Sequence, residues 1–120
     1  MAITTGRVLM AAAVAEIATG LALLVLPSLV GQLLLGTALG VEATMVARVA
    51  GIALVGLGIA CWPGTPLAGM SIYGAGATVF LAYLGLKGIA TGVLLWPAVA
   101  AHAVLTAMLL WSSARKPAAS

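Results

Sequence analysis

Apolar residues dominate this chain in long runs that only scattered polar residues interrupt. The runs are rich in Ala and Leu and continuous rather than alternating. That pattern excludes a transmembrane barrel, whose strands alternate polar and apolar positions. A bilayer core of about 30 Å needs about 20 apolar helical residues, and four stretches reach that length. They predict spans over about 4–26, 42–61, 67–86 and 89–111. Pro27-Ser28 marks the end of the first. Trp62-Pro63-Gly64-Thr65-Pro66 forms a turn after the second, and Lys87-Gly88 ends the third. The last span either begins near Ile89 with a kink at Pro97, or begins at Pro97 as its first helical residue. Between the first two spans, residues 29–41 are apolar but interrupted by Gly31, Gly36 and Gly40, which predicts a loop or a short interfacial helix.

Composition sharpens this reading. Only 6% of the 120 residues are charged while 64% are hydrophobic, against roughly 25% charged in soluble domains. Such a chain cannot cover a water-facing surface, so its solvent is expected to be lipid. The expected fold is all-α, a single domain over 1–120 built as a bundle of four transmembrane helices. Met1 to Ala15 has the outline of a secretory signal, with Ala13-Val14-Ala15 at the cleavage position. The apolar run resumes after Glu16 and continues to Leu26, so the segment reads as a first span. Net charge is +3 from five basic residues, too few and too scattered for a nucleic-acid surface. They serve instead as topology signals. Arg7 lies in the first turn of the first span, Arg115 and Lys116 follow the last, and Lys87 stands alone on the other side. The positive-inside rule then places both termini in the cytoplasm.

Three residues that can carry a charge near neutral pH lie more than one turn inside the predicted spans. Glu16 lies near the middle of the first, Arg48 about two turns into the second, and His102 in the last. An unpaired charge in lipid costs several kcal/mol, so the three are expected to form one buried polar cluster with a Glu16–Arg48 ion pair. That cluster is read either as a device fixing helix register or as a proton or ligand site. Small residues supply contact faces: Ala12 and Gly20 beside Glu16, Ala47, Gly51 and Gly58 on the second span, Gly74, Thr78 and Ala82 on the third. Tyr73, Phe80 and Tyr83 make an aromatic stripe that serves lipid or core packing, or a partner or lipophilic ligand.

No enzymatic constellation is expected. The chain has no Asp, one His and one Cys (Cys61), so neither a Ser-His-Asp set nor a zinc site can be assembled. Glu16 and Glu42 sit at separate depths, which excludes a carboxylate pair.

The stretches from Ala47 to Trp62 and from Leu94 to His102, with Tyr73 and Tyr83, resemble a family of small, uncharacterised bacterial integral membrane proteins with four spans. That likeness implies the bacterial inner membrane and no particular activity. Ala15-Glu16-Ile17 is similar to the site of small multidrug-resistance transporters, which implies exchange of protons for cationic drugs at Glu16. Arg48, and Trp62 within a turn, depart from that pattern. Ala98 four residues before His102, with Trp111 beyond, looks like the pigment-ligating helix of bacterial light-harvesting polypeptides. It implies bacteriochlorophyll, or another tetrapyrrole such as haem, on His102; otherwise no cofactor is expected. The leading expectation is a non-enzymatic accessory subunit that packs in the bilayer against other membrane subunits or as a homo-oligomer. A proton-coupled transporter using Glu16 is the alternative, and a pigment- or haem-binding subunit the second.

Overall fold

The computed structural model describes residues 5–63 and 65–115, and 84% of those residues are helical. Five helices follow one another: α1 (Thr5–Val25), α2 (Pro27–Leu35), α3 (Val41–Cys61), α4 (Pro66–Leu86) and α5 (Leu95–Arg115). Four of them are long and apolar enough to cross a membrane. The chain divides into two compact units, Met1–Gly69 and Met70–Ser120.

Local chemistry fixes each boundary. Pro27 has no N–H to donate, and its ring pushes the preceding residue out of helical conformation. Leu26 accordingly sits at φ −129°, ψ 55°, and Pro27 becomes the first residue of α2. The glycine-broken segment is therefore a nine-residue helix followed by a link, closed at Gly36 in the left-handed region (φ 76°), whose N–H donates to the Gln32 carbonyl. At the end of α3, the Thr65 hydroxyl turns back to the Ile59 and Trp62 carbonyls. The same two carbonyls also accept the backbone N–H groups of Trp62 and Thr65, at 3.2 Å each, so the last turn is closed twice over. α4 then starts on Pro66. It stops in a Schellman arrangement: Ile89 N–H donates to the Leu84 carbonyl and Gly88 N–H to that of Gly85. Gly88 takes the left-handed conformation (φ 70°) that this closure needs.

The last helix begins at neither Ile89 nor Pro97. It starts at Leu95, after a link over 87–94, and Pro97 is its third residue. The first main-chain bond of the helix is Ala98 N–H to the Leu94 carbonyl, 2.9 Å. The first three N–H groups of a helix have no partner to lose, so proline there breaks nothing. The helix reaches two residues further back than a proline-first start would give.

In the first unit α1 and α3 run antiparallel in close contact. A Cβ on Gly20 would lie 2.6 Å from the Gly51 carbonyl oxygen, and one on Gly51 would lie 2.6 Å from that of Gly20. Seven residues away on each helix, a Cβ on Gly58 would lie 2.8 Å from the Ala13 carbonyl. Only glycine allows two backbones to approach so closely, and dispersion plus Cα–H···O contacts then hold them. Gly69 at the start of α4 fits as tightly, 2.5 Å from the Ala60 nitrogen for a Cβ placed there.

The second unit is the α4–α5 pair. Gly74 faces the Thr106 hydroxyl, and Gly85 faces Leu95 and Trp96. These contacts are eleven residues apart on both helices, three turns, so the two helices run antiparallel in one register. Among the described residues, the buried hydrophobic side chains are few, and half of them are alanines: Ala13, Ile52, Ala77 and Leu84. Large apolar side chains point outward instead, Val79 at 68% and Leu33 at 79% exposure. This is the reverse of a water-soluble fold and is what a lipid solvent permits.

Candidate functional site

The polar side chains within the long helices are the places where chemistry or recognition can occur. Glu16 is half-buried on α1. It flanks the stripe of Ala13, Ile17 and Gly20 that meets α3. Ala12, expected beside it at the contact, is exposed; the seam runs through Ala13 instead. Arg48 is half-buried on α3.

The expected ion pair between them is not formed. Neither side chain makes a hydrogen bond or an ion pair among the described residues. The α1–α3 register supplies the reason. Gly51 packs at the level of Gly20 and Leu24, and Gly58 at the level of Ala13 and Ile17. Glu16 therefore stands opposite the stretch between Val55 and Gly58, and Arg48 opposite the end of α1. The nine residues between those levels amount to about 13 Å along the axis. Residue depth alone had suggested overlap; the glycine contacts that set the register were the missing information.

His102 lies on α5 in the second unit and has two partners there. Its Nδ1 is 2.8 Å from the Ala98 carbonyl. A carbonyl only accepts, so Nδ1 carries a proton. In the neutral ring Nε2 is then an acceptor, and it faces the Tyr73 hydroxyl at 3.3 Å. The two rings meet edge to face, with centroids 5.6 Å apart and planes at 67°. The Gly74–Thr106 contact brings this pair together. Tyr73 precedes Gly74, and His102 lies one turn before Thr106, which is buried. The sequence reading had assigned Tyr73 to an aromatic stripe and His102 to a polar cluster. Their pairing was legible only once the helix register was known.

The stripe itself divides. Tyr73 and Phe80 are half-buried on the side of Ala77 and Leu84, while Tyr83 is half exposed. A groove of about 420 Å³ in the same unit is lined by Met70, Leu105, Met108, Leu109 and Ser112, none of them from the stripe. Thr78, expected on a packing face, donates its hydroxyl to the Gly74 carbonyl at 2.7 Å. Ser71 Oγ is buried without a hydrogen-bond partner among the described residues, and nothing in its spacing marked it. Among the described residues no three His, Cys, Asp or Glu side chains converge as metal ligands. Of the charges used for topology, Arg7 and Lys87 are described; the Arg115 side chain and Lys116 lie outside the described residues. Compared with known proteins, the chain matches no family model, no curated protein and no solved structure.

Proposed function

We propose that the chain is a small, non-catalytic membrane subunit. It spans the bilayer four times with both termini in the cytoplasm and packs on a second copy of itself or on a larger membrane assembly. The bacterial inner membrane is its proposed location, on the likeness drawn from the sequence. One observation carries this reading. Glu16 sits mid-span, half-buried, with no side-chain partner among the described residues. A carboxyl group there is costly in lipid, and a neighbouring subunit that donates a hydrogen bond to it would offset that cost. Glu16→Leu distinguishes the roles. If the partner belongs to another subunit, detergent-resistant association weakens while the isolated chain unfolds at the same or higher denaturant. Loss of the chain's own stability with association intact would refute the reading.

Proton-coupled transport is the second reading, and the mid-span position of the same half-buried carboxylate favours it. Growth in graded concentrations of cationic dyes tests it: resistance conferred by the chain and abolished by Glu16→Gln would establish transport and displace the subunit reading. The geometry gives less support to a pigment or haem on His102. Ligation would use Nε2, which the Tyr73 hydroxyl engages. An absorbance spectrum of the purified protein with no visible band would dispose of it.

A further inference from the structure

The first unit holds a groove of about 400 Å³ where the end of α1, the short helix α2 and the start of α3 come together. That volume is within the range of small-molecule sites, roughly 300–1,000 Å³. Leu23, Val30, Leu34, Val46 and Ala47 give it hydrocarbon walls, and among the described residues Glu42 is the one charged residue that lines it. Glu42 is in the first turn of α3, a helix of 21 residues. At 1.5 Å per residue that helix is about 31 Å long, the thickness of a bilayer core. A first-turn side chain on such a span stands at the depth of lipid headgroups, with the apolar walls beside it at the depth of the chains.

The carboxylate is not neutralised from within. Glu42 makes no side-chain hydrogen bond or ion pair among the described residues. Arg48 follows six residues later, about 9 Å along the axis and roughly 120° around it, and it does not line the groove. The groove thus has an apolar trough with a single negative group at its mouth. An anionic headgroup would be repelled there, and one without an N–H donor would leave the carboxylate to water. A primary ammonium can give it a charge-assisted hydrogen bond.

We propose that this groove is a lipid site selective for a primary-ammonium headgroup of the phosphatidylethanolamine type, with one acyl chain along Leu23, Val30, Leu34 and Val46 and the ammonium on Glu42. The site is independent of whether Glu16 meets a partner, since it involves none of the same side chains. Native mass spectrometry of the full chain from maltoside micelles, titrated with dioleoyl phosphatidylethanolamine, phosphatidylcholine or phosphatidylglycerol, measures the first binding step of each. The ethanolamine lipid should bind about tenfold more tightly than the glycerol lipid. The choline lipid, which has no N–H, should fall between them. Glu42→Gln should remove the preference while leaving chain-driven binding, and Val46→Trp, which fills the trough, should weaken all three. Glu42 is exposed, so its variant tests the site even where Val46→Trp fails to fold. Equal binding of the ethanolamine and glycerol lipids, or a preference that survives Glu42→Gln, would overturn the proposal.

Discussion

Where α1 crosses α3, glycine backbone faces glycine backbone, Gly20 on Gly51, and the Val55 and Ile17 side chains close in on Gly20 and Gly58 beside that crossing. Where α4 meets α5, a glycine receives a side chain: Gly74 takes the Thr106 hydroxyl, Gly85 takes Leu95 and Trp96, and a Tyr73–His102 hydrogen bond lies alongside. Lipid tails are as apolar as leucine, so neither pair gains from hiding hydrocarbon. The first gains dispersion and weak Cα–H···O contacts from proximity alone. The second adds a polar interaction that specifies which faces meet. The two pairs should respond differently to substitution, the first to any added bulk, the second to the chemistry of particular groups.

The largest effect is expected at the backbone-to-backbone crossing. Gly51→Leu drives a side chain into the Gly20 carbonyl and the Leu24 nitrogen, and neither helix can yield without separating. It should cost about 3 kcal/mol or more, read from unfolding in mixed dodecyl sulfate–maltoside micelles. A cost below about 1 kcal/mol would show that the crossing can relax. Gly74→Ala should be milder, about 2 kcal/mol, because its obstacle is a single hydroxyl. Adding Thr106→Ala should recover more than half of that loss, a coupling the same titration measures as non-additivity. A comparable rescue of Gly51→Leu by one neighbour would erase the distinction between the pairs.

Two smaller effects sharpen the second pair. Gly88→Ala forces a side chain into the left-handed cap and should cost about 1 kcal/mol, visible as increased amide exchange at Ile89 and Ala90. Tyr73→Phe removes the donor to His102. Interhelical hydrogen bonds in membranes average about 0.6 kcal/mol, so the loss should be of that size and should vanish in a His102→Phe background. An undiminished effect of Tyr73→Phe in that background would show that the hydroxyl bonds elsewhere.

The four long apolar helices were legible because a bilayer imposes length and apolarity on any helix able to cross it. Their ends followed from Pro27, from the Trp62–Pro66 turn and from Gly88, whose chemistry is local. The start of α5 escaped because Pro97 is compatible with several early helix positions, and its neighbours decide which. The nature of residues 29–41 was open for a similar reason: Gly31 packs against Leu39, a contact that composition does not encode. The polar residues were found as individuals, and the Glu16–Arg48 pair expected among them is not formed among the described residues. A side chain's depth follows from its position along one helix, whereas its partner depends on the register between two. Here that register is set by glycines at Gly20, Gly51 and Gly58, which stagger Glu16 from Arg48, and by Gly74, which seats Tyr73 against His102.

Photocrosslinking in native membranes addresses the central claim, that Glu16 is completed by another subunit. A benzophenone side chain at position 12, exposed and one turn before Glu16, samples whatever lies beside that carboxylate. The account predicts a discrete protein adduct, a dimer of this chain or one larger species, whose yield falls by about tenfold with Glu16→Leu. Adducts to lipid alone, or a protein adduct indifferent to Glu16→Leu, would contradict it.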